Sequence, residues 1–124
     1  MEYNSHTMAE KNELGHVRIG NNVIGVIAYL ALSDFDEIYN VGGGISEGLS
    51  EFFGKKSQSK GINVELEEDN VFIDVNVDIK YGTKIPDVSK AAQEAVKEAV
   101  ENMTGFSVTN VNVNIQRVRF PDEG

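Results

Sequence analysis

The sequence predicts an α+β fold: a two-layer sandwich in which one mixed sheet has its helices packed on one face. Two observations lead to this prediction. Several segments alternate apolar and polar residues, and the elements follow the order strand, helix, short strand, helix, hairpin, helix, strand. A strictly alternating strand has one apolar and one polar face, so the sheet can bury only its apolar face against helices.

The length of 124 residues fits a single domain, which we place at residues 14–121. Residues 1–13 show no periodicity and few large apolar side chains, so they are predicted to form a flexible N-terminal tail. Residues 16–19 alternate polar and apolar side chains, as the first strand of the domain would. The chain is therefore expected to be ordered from Leu14 onward.

Helical spacing of apolar residues predicts the first helix over residues 23–32. Asn21 or Asn22 is expected to cap this helix by accepting hydrogen bonds from the backbone N–H groups of its first turn. An acidic break follows, and a short strand is predicted over residues 38–41. A second, short helix is predicted over residues 46–53.

The second half of the chain shows the clearest patterns. Residues 62–67 and 71–81 alternate on either side of a polar turn, which predicts a β-hairpin. The next apolar stripe predicts a helix, with Pro86 in its first turn and Gly105 as a left-handed C-terminal stop. Residues 110–116 alternate again and are predicted to form the last strand.

The alternation changes phase near the end of this last strand. Even-numbered positions are polar from Asn110 to Gln116, yet Val118 and Phe120 are apolar. A β-bulge near Gln116, or an edge that leaves the sheet, would explain the change. A strand edge that ends near Phe120 could pair with a second copy of the chain, so we expect that the protein can form a homo-oligomer.

The charge balance excludes several classes of partner. Asp and Glu number 20 and Lys and Arg 11, which gives a net charge of −9. Nucleic-acid binders need clustered Lys and Arg, and anionic membrane surfaces repel an acidic protein, so neither is an expected partner. The absence of cysteine excludes disulfides, thiolate nucleophiles and Cys-ligated zinc.

The hydropathy pattern favours a cytoplasmic protein. The longest mostly apolar run, residues 23–32, is shorter than the ~20 residues that a membrane-spanning helix needs. The first residues contain no apolar core of the kind that signal peptides have. We therefore expect no direct insertion into a membrane.

A Gly-x-Ser-x-Gly motif provides an enzymatic alternative, since it is typical of a hydrolase nucleophile elbow. In such hydrolases Asp and then His follow the Ser, whereas His6 and His16 both precede Ser46. We therefore interpret Ser46 as a helix cap. The turn from Gly42 to Gly48 also lacks the Gly-Lys-Ser/Thr sequence of a phosphate-binding loop. A small ligand-binding or hydrolytic domain that uses this turn is the alternative function.

The acidic break between the first helix and the short strand is a candidate cation site. Asp34, Asp36 and Glu37 offer oxygen ligands, but a calcium loop needs a glutamate at position twelve, where this sequence has Ile45. We interpret the segment as a solvated acidic loop. His16 has no evident partner ligand. No metal, no cofactor and no catalytic residue is therefore predicted.

The polar face of the sheet is the candidate interaction surface. Outward side chains of the hairpin and of the last strand would stand side by side if those strands are neighbours. They could bond across strands, receive a partner, or serve only solubility. The candidate surface comprises Phe72, Asp74, Asn76, Asp78, Asn112, Asn114 and Gln116.

Several short segments form a recognisable set. They are residues 14–19 (LGHVRI), 61–64 (GINV), 81–88 (YGTKIPDV), 103–106 (MTGF) and 108–113 (VTNVNV). Together they resemble the alkaline-shock, or envelope stress response, proteins of Gram-positive bacteria. The resemblance covers about residues 14–120, and the short form is similar to the small YqhY- and YloU-like cytoplasmic members.

The resemblance implies a non-enzymatic accessory protein of cell-envelope homeostasis that acts through protein partners of unknown identity. It implies that any membrane association occurs only through a partner, and it links one branch to control of lipid precursor synthesis. It transfers no catalytic residue. At residues 33–38 the sequence departs from the family, whose members have a short acidic-apolar turn ending in Gly-Val.

Overall fold

The computed structural model describes residues 7–39, 41 and 61–120. The described elements are β1 (Thr7–Asn12), β2 (Gly15–Gly20), α1 (Asn21–Leu32), β3 (Ile38–Tyr39), β4 (Ile62–Glu67), β5 (Asn70–Lys80), α2 (Ile85–Thr104) and β6 (Ser107–Arg119). The helix predicted over residues 46–53 lies outside the described residues. The prediction of an α+β fold is confirmed.

β5 is the central strand of a four-stranded mixed sheet. On one side β6 pairs with it in parallel along its whole length. On the other side β4 pairs antiparallel with its first half, and β3 pairs antiparallel with Asp78 and Ile79 near its end. A parallel pair needs a long crossover, and α2 supplies it between β5 and β6. The hairpin and the last strand are therefore neighbours.

One face of this sheet is buried under α1 and α2, which also contact each other. Burial of one large apolar side chain contributes about 1.5–3 kcal/mol to stability. The opposite face has no helix over it among the described residues, and we call it the open face. The inward side chains are Ile62, Val64, Leu66, Val71, Ile73, Val75, Val77 and Ile79 from the sheet, with Ile24, Ala28, Leu32, Ala92, Val96 and Val100 from the helices.

α1 begins without the predicted asparagine cap. Gly20 is the N-cap residue, and no side chain bonds to the first turn. The amide of Asn21 instead donates from Nδ2 to the backbone oxygen of Val64 at 3.0 Å. The prediction that Asn21 or Asn22 caps the helix is therefore wrong, because the Asn21 amide joins the helix to β4.

α2 has the start and the stop that the sequence predicts. Pro86 lies in its first turn. Gly105 has a φ of 81°, in the left-handed region, and its N–H donates to the backbone oxygen of Glu101 at 2.9 Å. The Thr104 hydroxyl donates to the backbone oxygen of Val100 at 2.7 Å. These bonds end the helix and direct the chain into β6.

The segment before Gly15 differs from the tail predicted for residues 1–13. Thr7–Asn12 forms β1, which pairs antiparallel with all of β2. The turn between these strands uses Gly15, whose φ of 141° disfavours any residue with a side chain. The residues of β2 from Gly15 to Arg18 are exposed. Backbone pairing defines this hairpin, so hydrophobic periodicity does not reveal its first strand.

β6 contains two β-bulges. Its register with β5 shifts twice, and Thr109 and Gln116 are the residues left unmatched. The second shift confirms the bulge predicted near Gln116. An extra residue reverses the alternation of a strand, so Arg117 and Arg119 fall on the open face beyond the bulge.

Candidate functional site

The open face arranges most of the predicted surface residues in rows that cross the strands. β5 and β6 contribute a residue to every row, and β4 extends the first two rows on the other side of β5. Residues in one row are directly paired, so their side chains lie within contact distance. The rows are Glu65–Phe72–Asn110, Asn63–Asp74–Asn112, Asn76–Asn114 and Asp78–Arg117.

Amide side chains bond across the strands in the two middle rows. Nδ2 of Asn112 donates to Oδ1 of Asp74 at 2.6 Å, and Nδ2 of Asn114 donates to Oδ1 of Asn76 at 3.0 Å. Cross-strand pairs of this kind contribute roughly 0.2–1 kcal/mol each. The structure thus brings four of the predicted surface residues into direct contact.

Asp78 differs from the prediction, because it is buried and not on an exposed surface. Its side chain points outward from β5, yet the residue is only 3% exposed. Nε of Arg119 donates to its Oδ2 at 3.0 Å, and Nε of Arg117 lies 3.6 Å from the same oxygen. Removing a carboxylate from water is costly unless it is paired and hydrogen-bonded. Asp78 is therefore part of a structural ion-pair cluster.

Gln116 also lies apart from its predicted place beside Asp78. It occupies the bulge, is exposed, and leaves Arg117 as the residue opposite Asp78. Sequence reasoning missed Arg117 and Arg119 as members of the open face. The phase change near the end of the last strand was the signal, since a bulge there moves both arginines to the side of Asp78.

A depression of about 620 Å³ lies on the open face over the first two rows. Its volume falls within the roughly 300–1,000 Å³ that small-molecule sites occupy. Phe72 is half-buried, whereas Asp74 and Asn112 are exposed. Three of the predicted surface residues therefore meet in one concave site. The lining residues are Asn63, Val64, Glu65, Phe72, Asp74, Asn110 and Asn112.

Glu101 is a carboxylate that joins the end of α2 to the start of β6. Its Oε2 accepts hydrogen bonds from Nζ of Lys97 at 2.8 Å and from the backbone N–H of Val108 at 2.9 Å. Both bonds favour the charged form, so they lower the pKa of Glu101 below its ordinary value, against the opposing effect of burial.

The structure describes the other candidate sites only in part. Asp34 and Asp36 are exposed between α1 and β3, and His16 is exposed on β2. Within the described ranges, no group of three or more His, Asp or Glu side chains could hold a metal ion. Ser46 and the glycine-rich turn around it lie outside the described residues. No helix in the described part of the chain is both long and apolar enough to cross a membrane.

Comparison with known proteins confirms the resemblance found in the sequence. The profile of the alkaline shock protein 23 family, described as having a cell envelope-related function, matches residues 9–120. The chain is 36% identical over 111 residues to the uncharacterized protein YqhY of Bacillus subtilis. That match covers 90% of this chain and 82% of YqhY.

Two further relatives are similar over most of this chain. The uncharacterized protein YloU of Bacillus subtilis is 33% identical over 111 residues, which cover 88% of this chain and 92% of YloU. The stress response regulator gls24 homolog of Streptococcus pyogenes is 27% identical over 110 residues, which cover 88% of this chain and 62% of the relative. No solved structure matches the chain.

Proposed function

Because the chain belongs to the alkaline shock protein 23 family, whose function is cell envelope-related, we propose that it is a non-enzymatic accessory protein of cell-envelope homeostasis. It acts by binding protein partners on the open face. Similarity to the stress response regulator gls24 homolog supports a role under envelope stress. The protein acts in the cytoplasm and reaches the membrane only through a partner. Control of lipid precursor synthesis stays a prediction from the resemblance.

The fixed polar pattern of the open face is the structural observation that supports partner binding there. The Asn112–Asp74 and Asn114–Asn76 hydrogen bonds hold exposed side chains in set positions. Ordering side chains on binding costs about 0.5–1.5 kcal/mol each, so a surface ordered in advance binds a partner at lower cost. These bonds stabilise the sheet and at the same time set the positions of the polar atoms that a partner would meet.

Charge reversal at Asp74 tests this function. Asp74 is exposed, so Asp74→Lys should leave the fold intact and abolish capture of a partner from a lysate of the source organism. Glu98→Lys makes the same change in charge on the exposed side of α2 and should retain that partner. Quantitative mass spectrometry of the captured proteins measures the difference. Asp78→Lys is unsuitable, because Asp78 is buried.

Two outcomes would contradict docking on the open face. If Asp74→Lys retains every partner, the polar rows serve only solubility. If Glu98→Lys loses the same partner as Asp74→Lys, net charge or the helix layer determines binding. Free energies of unfolding, measured by urea titration, that match the wild type within about 1 kcal/mol would establish that both variants are folded.

We also propose self-association through the outer side of β6. β6 pairs with β5 on one side, and no described strand pairs with its other side. An open strand edge presents backbone groups that can pair with another chain. Val118 and Phe120, each 48% exposed, add apolar surface at the end of this edge, where the ring of Phe120 lies 5.0 Å from that of Tyr81.

Light scattering after size-exclusion chromatography tests self-association. We expect the molar mass to rise with protein concentration, and Val118→Lys to shift it toward the monomer because it places charge on the edge. Leu30→Lys, at an exposed apolar position of α1, is the matched control and should leave the mass unchanged. A wild-type protein that is monomeric at every concentration would contradict the proposal.

A further inference from the structure

The depression on the open face has the chemistry of a site for one basic side chain. We propose that it binds an arginine side chain presented by a partner protein. This inference rests on the proposed function, because it names the chemistry of the partner that docks on the open face. Glu65, Phe72, Asp74 and Asn112 are the residues that define the site.

The negative charge at the depression has no counter-ion among the described residues. Glu65 and Asp74 line the depression, and neither forms an ion pair with a described residue. The arginines of the open face, Arg117 and Arg119, both pair with Asp78. Asp78 lies about 13 Å from Asp74 along β5, since an antiparallel or parallel strand rises about 3.3 Å per residue. A cation from outside would therefore meet two unneutralised carboxylates.

Phe72 provides an aromatic surface next to both of these carboxylates. It is paired directly with Glu65 on β4, and Asp74 is the next outward-facing residue along β5. A cation within about 6 Å of an aromatic ring is attracted by the ring quadrupole, and arginine makes this contact more often than lysine does. The planar guanidinium can stack on the ring while its N–H groups bond to carboxylates.

The hydrogen bond from Asn112 leaves acceptor capacity at the site. Nδ2 of Asn112 donates a hydrogen bond to Oδ1 of Asp74. Oδ2 of Asp74 accepts no hydrogen bond from the described residues. Asn63 and Asn110, whose side chains each carry an amide oxygen, also line the depression. The site thus offers several acceptors around an aromatic ring. Such a set fits a ligand with many donors and one positive charge, which describes the guanidinium group.

Titration with defined peptides tests the site. The ¹⁵N-labelled full chain is titrated at millimolar concentration with acetyl-Gly-Arg-Gly-amide, its lysine version and its citrulline version, which has the shape of arginine without the charge. We expect the arginine peptide to shift the amide signals of Phe72, Asp74 and Asn112 and to bind at least threefold more tightly than the lysine peptide. The citrulline peptide should produce no saturable shift.

Variants of the lining sharpen this test. Glu65→Gln combined with Asp74→Asn should weaken arginine binding at least tenfold, because it removes both charges and keeps the side-chain shapes. Phe72→Leu should remove the preference for arginine over lysine. Glu94→Gln combined with Glu98→Gln removes two exposed charges from α2 and should change the affinity by less than twofold.

Several results would overturn the inference. The first is that the arginine peptide shifts no amide signal at the depression, and the second is that it binds no more tightly than the citrulline peptide. The third is that the α2 control loses as much affinity as the Glu65→Gln, Asp74→Asn variant. The fourth is that spermidine binds as tightly as the arginine peptide, which would indicate a small polyamine ligand. If the same amide signals shift when the protein concentration rises without any peptide, the arginine comes from a second copy of the chain. If the arginine peptide does not bind while Asp74→Lys still loses its captured partner, this inference is wrong and the proposed function stands.

Discussion

Asp74 and Asp78 lie on the same face of β5, yet their surroundings are opposite. Asp74 is exposed and bonds to the amide of Asn112, whereas Asp78 is buried beside two guanidinium groups. The difference arises on the neighbouring strand, because the bulge at Gln116 places Arg117 opposite Asp78. The register of the adjacent strand, more than the residue's own position, thus determines what an outward side chain meets.

This comparison divides the open face into two ends. The arginine end consists of Asp78, Arg117 and Arg119, and both arginines pair with the one carboxylate. The docking end consists of the residues that line the depression, where the carboxylates have no described counter-ion. One end of the face therefore stabilises the sheet, and the other end, whose carboxylates form no ion pair with a described residue, is where we propose that a partner binds.

The largest expected effect is the loss of stability on removing the buried carboxylate. We expect Asp78→Ala to lower the free energy of unfolding by about 2 kcal/mol, because the arginines lose the acceptor they share. The effect is less than for a fully buried pair, since Arg119 and Arg117 have side chains that are 34% and 68% exposed. Urea unfolding followed by circular dichroism measures the change.

Asp74→Ala is the matched control for that substitution. It removes the same group from the same strand face, and we expect a loss of less than about 1 kcal/mol, because Asp74 is exposed and loses only its cross-strand bond to Asn112. Equal losses for the two variants would contradict the division of the face into a structural end and a docking end.

Glu101 is a further carboxylate whose contribution to stability depends on pH. Its pKa is lowered in the folded state, so its charged form adds stability above the pKa of the unfolded chain. That contribution is lost as the pH falls through the lowered pKa, below the ordinary 4.5. We expect Glu101→Gln to be less stable than the wild type at pH 7, and the difference to narrow under acid conditions. A difference that stays constant with pH would contradict the role of the charge.

Much of the fold could be predicted from local patterns because local rules determine it. The alternation in β4 and β5, Pro86 at the start of α2 and Gly105 at its end each reflect a constraint that neighbouring residues impose. The bulge near Gln116 could be predicted for the same reason, since a reversed alternation is visible in the sequence. These features need no knowledge of distant contacts.

The features that sequence reasoning missed depend on contacts between distant parts of the chain. β1 is defined by backbone pairing with β2, which leaves no hydrophobic period in the sequence. The burial of Asp78 depends on Arg119, 41 residues further along the chain. Alternation shows that Asp78 points away from the core, but it does not show which side chains cover it.

Partner capture with Asp74→Lys and Glu98→Lys tests the central claim most directly, namely that the docking end of the open face binds a protein. We predict that Asp74→Lys remains folded and loses a partner that both the wild type and Glu98→Lys retain. Retention of that partner by a folded Asp74→Lys protein would contradict it.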